Sequence, residues 1–270
     1  MNGKKALITG ATDGVGRVVA ERLGALGWHV LVHGRDAHRG REVVKAIAAS
    51  GGSARFYQAD LASLSAVREL AQAVRSESPQ LQLLVNNAGV GFGPPGKGRE
   101  TSADGFELRL AVNYLAPFLL TRMLLPNLIA AASARVVNVA SVGQREMDFA
   151  DMQFESGYSG LEAYRRSKLA LITFTVDLAA ELAATGVTVN AVHPASYMDT
   201  VMVRQTGSAP KATVGEGADA ILNLAVSPEV AHRTGEYFDR LTPSRAKEQA
   251  YDRRAQQRLR SLTLELTGPP

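Results

Sequence analysis

Cysteine is absent from all 270 residues. A disulfide scaffold, a thiol nucleophile and a thiolate metal site are therefore excluded, and the chain suits a reducing, cytoplasmic setting. Neither sign of charge dominates. Thirty Lys and Arg stand against 26 Asp and Glu, a mild excess that does not argue for a nucleic-acid partner. The longest apolar runs, such as Ala111–Leu120, contain polar residues and are too short to span a bilayer. The opening MNGKKALITG has no long apolar stretch, so neither a signal peptide nor a membrane partner is expected. The five histidines, at 29, 33, 38, 193 and 232, lack metal-ligand spacing, and no metal is expected. Internal repeats, low-complexity blocks and long linkers are missing too. What is present is an ordinary globular balance, 46% hydrophobic and 21% charged.

The chain alternates. Short apolar runs with the character of buried strands lie at Ala6–Thr9, Val30–His33, Ala54–Gln58, Leu81–Asn86, Arg135–Ala140 and Val187–Val192. Between them, Arg17–Leu26 and Leu64–Val74 carry apolar residues at helical spacing, and Leu108–Ile129 and Ala163–Ala184 are long and apolar on more than one side. Such alternation predicts a doubly wound, Rossmann-type parallel sheet with helices on both faces. One domain is expected over 1–270, with a cofactor-binding and catalytic core over 1–192. Residues 193–270 form a substrate loop and a C-terminal cover, with a helix near Gly215–Val226, a strand at Glu236–Phe238 and a charged final helix.

Thr9-Gly10-Ala11-Thr12-Asp13-Gly14-Val15-Gly16 joins the first strand to the first helix. Glycines there permit a tight turn and close backbone approach, and the helix aims free N–H groups at an anion. A dinucleotide diphosphate is the predicted ligand. At the end of the second strand, Gly34 offers no carboxylate to an adenosine ribose, and Arg35 can grip a 2′-phosphate with two parallel hydrogen bonds. NADP(H) is expected over NAD(H). Asp36 is the counter-indication: it serves the ribose, or it pairs with Arg35 or Arg39. Asp60-Leu61 ends the third strand, where Asp60 accepts from adenine, caps the next helix, or does both. Asn86-Asn87-Ala88-Gly89 ends the fourth, suiting a backbone in contact with cofactor.

Tyr164 and Lys168 are four apart on one helix face. A phenol is a poor base at neutral pH, but a neighbouring ammonium and a nicotinamide cation both favour tyrosinate. Ser141 ends the fifth strand, at the sheet edge where such folds bind ligands. Asn113 lies within an apolar helix, which requires either a core hydrogen bond or a water relay toward Lys168.

With these elements in this order, the chain resembles a short-chain dehydrogenase/reductase of the classical type. The resemblance implies a tetrad of Asn113, Ser141, Tyr164 and Lys168 and hydride exchange between nicotinamide and a carbonyl or alcohol carbon. Tyr164 is then the general acid in reduction, Ser141 orients the carbonyl, Asn113 holds a relay water, and Lys168 lowers the phenol pKa and binds the nicotinamide ribose. Asn113–Phe118, Ala163–Ala170, Gly235–Phe238, Glu265–Gly268 and the wide Ser141-to-Tyr164 spacing resemble the retinol-dehydrogenase-like branch, which commonly prefers NADP(H). One departure is His193-Pro194-Ala195-Ser196, where the family usually has Pro-Gly; the nicotinamide loop then runs differently, with Pro194 and Thr200 as its expected contacts. Phe92, Phe149, Tyr158, Tyr197, Met198 and Met202 are candidates for an apolar mouth. A homodimer or homotetramer through the two long helices is a further implication, unless the C-terminal segment covers them. The competing reading is a non-catalytic NADP(H)-sensing or scaffold protein. A sugar epimerase would show a differently spaced glycine turn.

Overall fold

A computed structural model describes residues 3–94 and 96–270. In chain order the elements are β1 (Lys5–Ile8), α1 (Gly14–Ala25), β2 (His29–Gly34), α2 (Ala37–Ala49), β3 (Ser53–Gln58), α3 (Leu64–Glu77) and β4 (Leu83–Asn86). Then follow α4 (Leu108–Leu110), a π turn (Ala111–Leu115), α5 (Ala116–Ala130), β5 (Arg135–Val139), α6 (Gly160–Glu181) and β6 (Thr188–His193). The last are α7 (Val201–Arg204), α8 (Val214–Val226), β7 (Tyr237–Asp239), β8 (Thr242–Ser244), a 3-10 turn (Glu248–Tyr251) and α9 (Arg253–Thr267).

The strands form one sheet in the order β3-β2-β1-β4-β5-β6-β7-β8. All neighbours are parallel except β7 and β8. Successive strand residues point to opposite faces, so Leu7 and Ile8 enter different cores. Leu7, Leu84 and Val136 pack with Leu70, Leu119 and Leu171 on the α3–α5–α6 side. Ile8, Val32 and Val85 pack with Val19, Val43 and Ile221 on the α1–α2–α8 side. Chain order reverses between β1 and β4, which opens a crevice at the carboxyl ends of the strands.

Three features depart from the sequence reading. Helix α2 fills a segment to which no helix was assigned; Asp36 caps it and Val43 and Ile47 anchor it. The expected helix at Leu108 is interrupted by the π turn. It nonetheless runs on through Leu108–Ala130, 23 residues that are long and apolar enough to cross a membrane by length and composition, beyond what the run Ala111–Leu120 suggests. Most of it is buried inside this fold, because it lies between the sheet, α3 and α6.

Candidate active site

The glycine turn is held from three sides. Gly10 N–H donates to His33 Nδ1 (3.2 Å), and His33 Nε2 meets Ala59 O (3.2 Å). Burial lowers the His33 pKa to about 4, so the ring is neutral and its Nε2–H is the donor to Ala59. Asn87 Nδ2 donates to Thr9 O (2.9 Å) and Gly10 O (3.1 Å), while Thr9 Oγ1 accepts from the N–H groups of Asn87 and Ala88 (3.0 Å each). The Asn87 carboxamide thus braces the turn from within. A Cβ on Gly16 would lie 2.3 Å from Gly10 O, so only glycine lets the helix start this close to the turn. Gly14 has φ +53°, and its open side faces only a Thr200 methyl. Asp13 caps α1 by accepting from Gly14 N–H (2.7 Å), which leaves Val15 and Gly16 N–H without intrahelical acceptors. This cradle fits a diphosphate.

At the end of β2, Gly34 lies so close to Thr12 that a Cβ would fall 2.4 Å from its methyl. Arg35 is exposed and enters no ion pair among the described residues. Asp36 accepts from His38 N–H (2.9 Å) and Arg39 N–H (3.1 Å), bonds that hold its carboxyl below the usual range. The counter-indication to NADP(H) is thereby engaged as a helix cap. Asp60 is exposed and accepts from Ala62 N–H (3.0 Å), but the cap of α3 is Ser63, which corrects the capping alternative. Leu61 beside it is buried.

Helix α6 starts at Gly160 because Ser159 accepts from Glu162 N–H. Tyr164 and Lys168 share one face, with Lys168 Nζ 5.8 Å from the phenol ring centre. Lys168 is buried and donates to Val139 O (2.8 Å); burial lowers its pKa to about 8. The Tyr164 pKa is raised by burial, an effect the Ser141 hydroxyl only partly offsets. The tyrosinate expected beside an ammonium and a nicotinamide cation together is opposed, within the protein, by desolvation of the phenol. Ser141 Oγ accepts from Gly143 N–H (3.0 Å), so its own proton points to a partner on the phenol side. Gly89 lies against Lys168 and Asn113, where a Cβ would be 3.6 Å from Nζ and 3.1 Å from Asn113 Oδ1.

Asn113 is fully buried in the π turn. Its Oδ1 accepts from Val90 N–H (2.8 Å), and its Nδ2 donates to Val90 O (3.0 Å) and Ser167 Oγ (3.0 Å). Of the two alternatives for this amide, the core hydrogen bond is present: both amide hydrogens are bonded within the protein, to Val90 O and Ser167 Oγ.

Phe92 meets Tyr164 edge-on at 6.0 Å. Val142, next to Ser141 in the chain, Leu161, three residues before Tyr164 on α6, and Val201 of α7 are exposed. Met202 of α7 covers Gly91 and Thr200 covers Gly14, so α7 roofs both sides of the crevice. Thr200 Oγ1 accepts from Val203 N–H as the α7 cap. Pro194 and Ala195 are buried; Ala195 keeps an ordinary backbone, and the left-handed conformation falls instead on Tyr197 (φ +50°). Of the other mouth candidates, Tyr158 donates to buried Glu107 (3.0 Å), Phe149 packs on the core, and Met198 packs against Gly217. Sequence reasoning missed Gln144, which donates to Ser141 O (3.0 Å) and accepts from Lys247 N–H (3.0 Å), tying the serine loop to the C-terminal cover. Its partner is 103 residues away, beyond any local pattern.

Comparison with known proteins agrees with this geometry. Residues 4–211 match the family model for short chain dehydrogenase. The chain is similar to a polyprenol dehydrogenase of Mus musculus, 40% identical over 98% of this chain and 84% of that protein. It is also similar to retinol dehydrogenase 12 of Homo sapiens, 36% identical over 98% and 87%. Among solved structures, an uncharacterized Mycobacterium paratuberculosis protein superposes with a TM-score of 0.81 at 29% identity, covering 98% and 93% of the two chains. A metagenomic short-chain oxidoreductase in complex with NADP gives 0.68 at 29% identity, covering 87% and 95%.

Proposed function

The chain belongs to the short-chain dehydrogenases, in their retinol-dehydrogenase-like branch, as an oxidoreductase between CH–OH and C=O, and from that premise we propose that it uses NADP(H) on an apolar carbonyl or alcohol with Tyr164 as the proton donor and acceptor. The observation that carries the reading is geometric: the Tyr164 phenol lies beside the Lys168 ammonium, whose Nζ is 5.8 Å from the ring centre, and the Ser141 hydroxyl and the Tyr164 ring both flank Gly143. That is the arrangement a carbonyl reduction needs.

When bound, the nicotinamide supplies or takes up the hydride. The protein does the rest. Ser141 donates a hydrogen bond to the substrate oxygen and Tyr164 transfers its proton to that atom. Lys168 remains an ammonium at neutral pH and favours the tyrosinate once the proton has left. Asn113 acts through the Val90 loop and Ser167, which fixes the wall beside Lys168. Thr9–Gly16 and the Asn87–Gly89 turn hold the diphosphate and the nicotinamide side, with Pro194 and Thr200 at its far edge; Asp60 and Leu61 take the adenine. Arg35, unpaired by any carboxylate among the described residues, takes the 2′-phosphate. The apolar preference rests on Phe92 against the phenol and on the exposed Val142 and Leu161, neighbours in the chain of Ser141 and Tyr164.

NADPH consumption with a panel of aromatic, aliphatic and steroid-like carbonyls tests this. Tyr164→Phe should bind NADPH as the parent does, yet lose turnover roughly 100- to 10,000-fold. Parental turnover in that variant defeats the mechanism.

A further inference from the structure

The guanidinium of Arg39 lies over the junction of the glycine turn and the start of α2. It donates to Asp13 Oδ2 at 3.0 Å, and its Nε is 3.7 Å from Asp36 Oδ2. Both partners are fixed. The other oxygen of Asp13 accepts from Gly14 N–H, and Asp36 accepts from two N–H groups of α2. The turn itself is docked on the end of β2, with Ala11 N–H donating to His33 O (2.8 Å) and Thr12 against Gly34. In this fold the end of the second strand faces the adenosine ribose. Among the described residues Arg35 enters no ion pair while Arg39 is already matched, and both lie at this end of β2.

The Asp13–Arg39 pair is half exposed on each side (54% and 52%). Such a pair is weak and salt-screened, so a phosphate dianion can take the guanidinium from it. The capping bond from Gly14 N–H keeps Asp13 from swinging away, and its carboxylate stays beside the arriving phosphate as a like charge.

We propose that Asp13 and Arg39 form an ionic latch at the 2′-phosphate subsite: Arg39 is a second cation for the phosphate, and Asp13 is a competing anion that loosens NADP(H) while leaving NAD(H) untouched. The latch sets how far the enzyme discriminates between the two dinucleotides, and it rests on the NADP(H) reading above.

The test is equilibrium binding of NADPH, NADH and adenosine 2′,5′-bisphosphate to the parent, Asp13→Asn, Arg39→Gln, the double variant and Arg35→Ala. Asp13→Asn keeps the oxygen that caps α1 and removes only the charge. It should tighten NADPH and the bisphosphate by about threefold to tenfold and leave NADH within about twofold. Arg39→Gln should weaken NADPH about tenfold, with NADH again little changed. In the double variant the loss should be smaller than in Arg39→Gln alone, because the uncompensated Asp13 charge has gone as well. Raising ionic strength should shrink every one of these differences. If Arg35→Ala weakens NADPH selectively but Asp13→Asn does not tighten it, or if Arg39→Gln shifts NADPH and NADH equally, the latch falls alone. If Arg35→Ala changes NADPH and NADH by the same factor, the NADP(H) reading falls with it.

Discussion

His33 shows how a single side chain ties a binding turn to the sheet. Burial among three backbone segments holds its pKa at about 4 against an unfolded value near 6.5. Between those values the unfolded chain binds a proton that the folded chain refuses, so stability rises with pH across that window and is lost as the pH falls through it. At the size of this shift, His33 alone makes the fold about 2 kcal/mol less stable at about pH 4.5 than at about pH 7. His33→Gln should lower overall stability and shrink that pH difference by about the same 2 kcal/mol, measured by urea unfolding at the two pH values. An unchanged pH difference would show that another group carries it. Tyr164, Lys168 and Ser141 are picked out by their place in the alternating pattern and by the family resemblance rather than by spacing alone, and the structure brings them together. The bonds of His33 and Asn113 are not legible that way, since their partners lie 23 to 54 residues away.

At the scale of elements, the strands and the long helices are plain in the sequence because their apolar runs are long and their period is clear. Helix α2 is not. It buries only Gly40, Val43 and Ile47, and its first turn is Ala37-His38-Arg39-Gly40, a composition that reads as loop. What makes it helical is the Asp36 cap and a glycine that lets the Phe56 ring pack on the backbone. A Cβ at residue 40 would sit 2.2 Å from that ring. Gly40→Ala therefore sets two effects against each other, a gain of about 1 kcal/mol in helix propensity and an overpacking cost of about 1–3 kcal/mol. The ring is carried by β3 and lies against α2, so the cost should win, and thermal unfolding should show a net loss of about 1 kcal/mol. A more stable variant would mean that Phe56 moves aside freely. The π turn was equally illegible: no residue type in Ala111–Leu115 announces a shift in hydrogen-bond register, which arises where Asn113 is drawn to Val90 and Ser167.

Across the whole molecule, the decisive contact is between the last helix and the two longest. Tyr114 of the π turn and Thr263 of α9 share a 2.6 Å hydrogen bond, Arg260 pairs with Asp177 of α6, and Leu259 is buried among Phe118 and Phe174, whose rings are 5.0 Å apart. The α5–α6 face on which a four-helix dimer was one expectation is thus covered by the chain's own C-terminal helix. A helix held by a buried leucine, a buried hydroxyl pair and a two-bond ion pair is not displaced by a second copy offering only the same apolar face. The prediction is a protein whose mass in light scattering shows no dimer built through α5 and α6. Leu259→Asp should cost about 3 kcal/mol, loosen α9 and expose Phe118 and Phe174, so that the variant associates at concentrations where the parent does not. A parent dimer in which hydrogen exchange protects α5 and α6 while α9 exchanges freely would show that the terminal helix yields to the partner, and that its contacts are weaker than their burial implies.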